Sequence, residues 1–196
     1  MKETYFEGQV IREKKIQSET MEYFKFIDCD FENCSFEDCK IINCTFVNCA
    51  CKFYNCNIVS LSAQYSEIKN AEFKKCNLIG IHWGGLLPSG KYARALEKIE
   101  NCYLKYNTFS DMNLKKFDFS GNIIQESLFD ECDLKESNFK SCRLEETQIH
   151  NSDIRKADFR DSRGYIIDIP SNKLKQAKFS YPEVVSLLDS LEIEID

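Results

Sequence analysis

The strongest constraint in this sequence is a period of five. One large apolar residue recurs at Phe26, Phe31, Phe36, Ile41 and Phe46, and two places before each stand Phe24, Cys29, Cys34, Cys39 and Cys44. Neither a helix period of 3.6 nor a strand period of 2 produces this spacing. The phase runs from Phe6 to Phe46, steps seven to Phe53, continues to Trp83, and resumes at Leu104 after a gap of 21. From there it is read as unbroken to Phe179. Of these 32 centres only Gly164 is not apolar. Thirteen of the fifteen phenylalanines are centres, and ten of the eleven cysteines sit two places before one, Cys49 being the exception. Most of the charge falls on the other three positions. A repeat this short cannot bury its apolar residue alone, so coils must stack and share a continuous column.

These residues resemble the pentapeptide-repeat family, whose motif is a small residue, Asn or Asp, Leu or Phe, and two variable positions. Instances are Cys76-Asn77-Leu78, Cys132-Asp133-Leu134, Ser137-Asn138-Phe139 and Ala157-Asp158-Phe159. The likeness covers residues 4–180. It implies an all-β chain: a right-handed quadrilateral β-helix with four pentapeptides per coil and inward centres, among them Phe31, Phe36, Phe129, Leu134 and Phe139. Thirty-two repeats then make about eight coils, and at ~4.8 Å each a rod of roughly 40 Å. The whole chain, 1–196, reads as one such domain.

The departures from the code carry their own expectations. Gln9, Lys14 and Glu19 occupy small-residue positions, and charge does not suit a dry column; residues 1–23 are therefore expected to form an irregular N-terminal coil. Cys49-Ala50-Cys51-Lys52 reads as a two-residue bulge, which would stack Cys34, Cys56 and Cys76 in one column. Residues 84–100 carry two glycines and Pro-Ser-Gly, the marks of a loop. About sixteen residues would be extruded there, with Tyr92–Ile99 in roughly two helical turns. Past Phe179, Pro182 and Glu183 open a helix, along which Val184, Leu187, Leu188 and Leu191 recur at helical spacing. Glu192–Asp196 alternates like a short strand. The open end of a β-helix needs a cover, and the resemblance to the Qnr-type (quinolone-resistance) branch implies that this tail also forms a homodimer.

Catalytic signatures are missing. The two histidines, His82 and His150, lie beside centres and point outward, and no Ser-His-Asp set, HExxH or phosphate loop is present. The spacing CxxxxC puts successive sulfurs on successive sides of a coil, unlike a zinc knuckle, so the cysteines read as small packing residues. The expectation is a non-enzymatic protein with no cofactor and no metal. The charged N-terminus has no apolar signal core, no run is long enough to span a membrane, and an odd thiol count suits a reducing, cytoplasmic setting.

What remains is the surface. Candidate partner contacts are the acidic positions Glu126, Glu145 and Glu146 on one face and Asp130 and Glu131, with Asp111, on another. The loop residues Leu86, Leu87, Lys91 and Tyr92 join them. Asp28, Asp30, Glu32, Glu37 and Asp38 concentrate acid near the N-terminus. A basic stripe, Lys115, Lys135, Arg155 and Lys175, runs up another face, thickened by Lys116 and Lys156 and partly neutralised by Asp133 and Asp153. A net charge of −6 argues against general phosphate-backbone binding. The function expected is a binding or scaffold protein for an unassigned bacterial protein. The Qnr-type resemblance implies an alternative, a DNA mimic that binds DNA gyrase or topoisomerase IV and shields it from quinolones.

Overall fold

A computed structural model of the chain describes residues 4–27, 29–32, 35–37, 40–42, 45–47, 52–59, 68, 70–86 and 95–191. The chain divides into two compact units, Met1–Tyr103 and Leu104–Asp196. Both are stacks of parallel strands coiled as a β-solenoid, the β-helix that the family resemblance implies. The inward centres Phe129, Leu134 and Phe139 are fully buried, while the side chains of Phe31 and Phe36 lie outside the described residues.

In the first unit three-residue strands pair with those one coil on. Tyr5–Glu7 pairs with Lys25–Ile27, and that strand with Thr45–Val47, each at an offset of 20. Val10–Arg12 pairs with Asp30–Glu32, Lys15–Gln17 with Ser35–Glu37, and Thr20–Glu22 with Lys40–Ile42, all at the same offset. The N-terminal residues thus form a regular coil, not the irregular one expected. Gln9, Lys14 and Glu19 are exposed there. Their long polar side chains reach water without entering a dry column.

Two further departures resolve differently from expectation. Ser35↔Lys52 and Lys40↔Asn57 are paired at an offset of 17. The seven residues from Phe46 to Phe53 therefore carry the chain past two sides, which normally takes ten: the step is a three-residue shortening, not a two-residue bulge. Cys34 lies outside the described residues, and in the column of Cys56 and Cys76 the next member is Cys102. Its sulfur accepts from the Cys76 N–H at 3.4 Å, as Cys76 accepts from Cys56 at 3.4 Å. Both ends of the 84–100 segment are also built into the coil, while residues 87–94 lie outside the described ones. Trp83–Leu86 is a 3-10 turn with both end residues buried, and Leu96–Glu100 is a strand rather than helix, with Phe73 opposite Ile99. Ala95, Leu96 and Ile99 are buried. That coil holds 26 residues, six more than the usual twenty.

In the second unit two kinds of side alternate. Thr108–Ser110, Leu128–Asp130 and Arg143–His150 pair as strands. On the other sides isolated bridges such as Asn113↔Asp133↔Asp153 join the coils. The core holds two ring stacks beside columns of buried Leu and Ile. Phe109 lies on Phe129 at 4.4 Å, and Phe119, Phe139 and Phe159 stack at 4.7 and 4.8 Å. The phase does slip once in this unit. Thr147 pairs with Tyr165 and Ile149 with Ile167, at an offset of 18. Tyr165 and Ile167 take the inward positions while Ile169 is half-buried. Gly164 makes the short cut: its φ is +76°, and a Cβ there would lie 2.7 Å from the Glu145 Cα.

The tail forms a 3-10 helix, Glu183–Leu191, against this last coil. Glu183 Oε1 accepts from the Gly164 N–H and Ser190 Oγ from the Ile169 N–H at 3.2 Å. Leu187 is buried, Val184 and Leu188 are half-buried, and Leu191 is exposed. Residues 192–196 lie outside the described ones.

Candidate functional site

Each coil corner is built by the residue two places after a centre. Tyr106, Asp111, Lys116, Glu126, Glu131, Glu136, Ser141, Glu146, Asn151, Lys156 and Asp161 all take left-handed backbone there, with φ between 46° and 61°. Such a turn throws the side chain outward, so residues 20 apart form straight outward columns. On the bridged sides from 113 to 160 the Asn or Asp before each centre closes the bend. Asn113, Asp118, Asp133, Asn138, Asp153 and Asp158 accept from the N–H two residues on at 3.0–3.3 Å, the hydrogen-bonded turn these side chains favour.

The small position also does more than fill space. Cys132 Sγ donates to Phe109 O at 3.3 Å, Cys142 Sγ to Phe119 O at 2.9 Å, and Thr147 Oγ1 to Ile124 O at 2.8 Å. Serine hydroxyls at the same repeat position accept from the N–H twenty residues earlier: Asn107 N–H gives to Ser127 Oγ at 3.1 Å and Cys132 N–H to Ser152 Oγ at 3.0 Å. A thiol or hydroxyl thus links adjacent coils at a point the strand ladder leaves open. Six cysteines among the described residues are buried free thiols. Burial pushes Cys132 up to about 11 and Cys142 up to about 12. Cys76 is raised by the neighbouring sulfurs of Cys102 and Cys56 and by burial. Among the described residues no group of three His, Cys, Asp or Glu side chains is placed to hold a metal.

The acidic candidates separate into distinct settings. Tyr106, Glu126 and Glu146 form one corner column, and with Thr108, Leu128 and Gln148 they line a groove. Tyr106 is 54% exposed. Lys105 Nζ sits 2.9 Å from Glu126 and 4.6 Å from the centre of the Tyr106 ring, and it holds the Glu126 carboxyl below its ordinary value. Glu145 does not join this column. It lies on the strand side, 3.1 Å from Arg143, 3.4 Å from Arg163 and 3.0 Å from Gln125 Nε2. Two guanidinium groups neutralise it, so the expected three-glutamate cluster is reduced to two.

Asp111, Glu131 and Asn151 form the next corner column, where Asn151 Nδ2 donates to Asp130 at 2.9 Å. Leu86 is fully buried and is core rather than a partner contact. Leu87, Lys91 and Tyr92 lie outside the described residues, as do the side chains of Asp28, Asp30, Glu32, Glu37 and Asp38.

The basic stripe is real and only partly neutralised. Lys135 lies 3.0 Å from Asp133 and 3.7 Å from Asp153, while Arg155 grips Asp153 at 2.6 Å and lowers its pKa. Lys116 reaches Glu136 at 3.7 Å. Lys135, Glu136, Arg155, Lys156, Lys175 and Gln176 line a second groove.

Residues 125–163 match the family description Pentapeptide repeats, in eight copies. No curated protein matches the chain. Two solved structures share the fold. HetL, a pentapeptide repeat protein of the cyanobacterium Nostoc sp. strain PCC 7120, aligns over 90% of this chain and 87% of its own with a TM-score of 0.52 and 9% identity. A trypsin-treated form of QnrB1, a plasmid-mediated fluoroquinolone resistance protein, aligns over 98% and 97% with a TM-score of 0.51 and 15% identity.

Proposed function

We propose that this pentapeptide-repeat chain is a non-enzymatic scaffold that binds a protein partner in the cytoplasm through the corner groove of Tyr106, Glu126, Leu128 and Glu146. The carrying observation is the groove's composition: an exposed ring, an aliphatic floor and two carboxylates held in line by a backbone that repeats every coil. Aromatic anchors rimmed by charge are the usual makings of a protein contact. Asp130 and Glu131 extend the acidic edge along the neighbouring side. A benzophenone amino acid in place of Tyr106 should give one discrete photo-adduct in cells, lost when Glu126 and Glu146 become Lys. The same probe at Ser120, on a bridged side, should give none. Adducts of equal yield from both positions refute the assignment.

A second reading, contact with a type II DNA topoisomerase, is favoured by the two acidic corner columns, Glu126/Glu146 and Asp111/Glu131. Gyrase supercoiling with and without a fluoroquinolone tests it: protection that disappears in Glu126→Lys/Glu146→Lys supports it, and no change at micromolar protein rejects it. Homodimerisation belongs to the same proposal. Val185 and Leu191, 42% and 41% exposed beside buried Leu187, leave an apolar edge that a second copy would cover. Light scattering should find a dimer that Leu191→Asp dissociates, and a wild-type monomer contradicts it.

A further inference from the structure

The basic stripe is a surface that the acidic-groove reading does not use. Lys115, Lys135, Arg155 and Lys175 each follow the centre of one side in four successive coils, with Lys156 on the adjoining corner. Lys135 and Arg155 are held by Asp133 and Asp153. Lys115, Lys156 and Lys175 have no ion-pair partner among the described residues, and the groove between the two columns is open to solvent.

The rung spacing selects the shape of what can lie there. Four cations one coil apart span about 14 Å at ~4.8 Å per coil. An α-helix with one carboxylate per turn presents four over about 16 Å, because its pitch is ~5.4 Å. An extended strand presents four same-side carboxylates over about 20 Å, at ~3.3 Å per residue. Flexible lysine stems absorb a mismatch of about 2 Å but not one of about 6 Å. Nucleic acid fits less well. The outward positions over 113–120, 133–140, 153–160 and 173–176 carry no aromatic residue on which bases could stack.

We propose that the Lys115–Lys175 stripe is a docking face for an acidic α-helix of a protein partner, one carboxylate of each helical turn meeting one coil. The alignment is electrostatic and side by side, with helix axis along the coil axis. It therefore depends on the facial arrangement of the carboxylates, not on their number.

The test uses the full chain and a fluorescein-labelled peptide of about 20 residues, Ala- and Gln-based, with Glu once per turn on one face. Fluorescence anisotropy at low salt should show binding about tenfold tighter than for an isomer with the same glutamates spread around the helix. Raising the salt to about 0.3 M should weaken it, since exposed charges are screened. Lys115→Glu/Lys156→Glu/Lys175→Glu should abolish binding without moving the melting temperature. Should that variant melt early, Lys115→Gln/Lys156→Gln/Lys175→Gln is used and should lose affinity too. Glu126→Lys/Glu146→Lys should leave peptide binding intact, which separates this face from the acidic groove. Equal binding of the two isomers, retained binding by the triple variants, or tighter binding of a single-stranded thymidine oligomer overturns the proposal.

Discussion

Replacing Phe129 by Ala probes the ring stack where it is most constrained. The Phe129 ring lies flat on Phe109 at 4.4 Å and edge-on to Phe119 and Phe139, each at 5.5 Å. It is completely buried. Phe→Ala in a core costs about 3–5 kcal/mol, and more where the site cannot collapse. Collapse is blocked here. The flanking strands are held by Leu128 N–H to Asn107 O and Gln148 N–H to Ser127 O, both at 2.9 Å. Three ring contacts worth roughly 0.5–1.5 kcal/mol each are also lost. The expected loss is therefore at the upper end, about 4–5 kcal/mol. Phe129→Leu should cost only about 1–1.5 kcal/mol, since Ile149 already continues this column with an aliphatic side chain. At the half-buried end of the other stack, Phe179 meets Phe159 at 5.3 Å and Tyr165 at 5.7 Å; Phe179→Ala should cost about 1–2 kcal/mol. Urea unfolding followed by far-UV circular dichroism reads all three. A loss below about 2 kcal/mol for Phe129→Ala, or one no larger than that of Phe179→Ala, refutes the stacked-column reasoning.

Other consequences follow from single positions. Ser141 has φ of 58°, so Ser141→Gly should raise stability by about 1 kcal/mol and Ser141→Val should lower it, as urea midpoints will show. Gly164→Ala should cost about 2–3 kcal/mol, because its new Cβ would meet the Glu145 Cα at 2.7 Å in a left-handed residue. Ser152→Ala should cost about 1–3 kcal/mol by leaving the Cys132 N–H unsatisfied, while Ser152→Cys should recover most of it. Arg155 and Arg160 hold Asp153 and Asp158 below the usual carboxylate range. A depressed folded pKa stabilises fully above the unfolded value, so this contribution should be intact above about pH 4 and vanish as pH falls through the lowered folded values. Arg155→Gln should flatten that acid loss in urea titrations at successive pH values.

Most of the inward architecture is legible in the sequence because centre and small residue recur at a fixed step wherever four sides are equal. Where a side is shortened or lengthened, the step between successive centres does not reveal which side changed. The seven residues from Phe46 to Phe53 fit a bulge or a shortening equally well until Ser35 is seen opposite Lys52. Gly164 was visible as the one non-apolar centre, yet the inward turn of Tyr165 and Ile167 depends on contact with the coil before it. The same slip brings Arg163 against Glu145 and removes that glutamate from the acidic face. Reading cysteine as filler missed its second role, because a donor to Phe109 O or Phe119 O exists only once coils are stacked. One signal was available within residues 108–160: Asn or Asp before a centre falls on the bridged sides there, and Ile123, Leu128 or Gln148 in that place falls on the strand sides.

The register between coils is the most direct test of the whole account, since every outward column and both proposed faces depend on it. Amide-to-α-proton cross-peaks in a nitrogen-edited NOESY spectrum measure it. The account predicts contacts at an offset of 20 along Leu128–Asp130 and Gln148–His150, shortening to 18 where Gln148 and Ile149 meet Ile166 and Ile167. A constant offset of 20 through residue 169 would contradict the slip at Gly164, and contacts running antiparallel would contradict the coil itself.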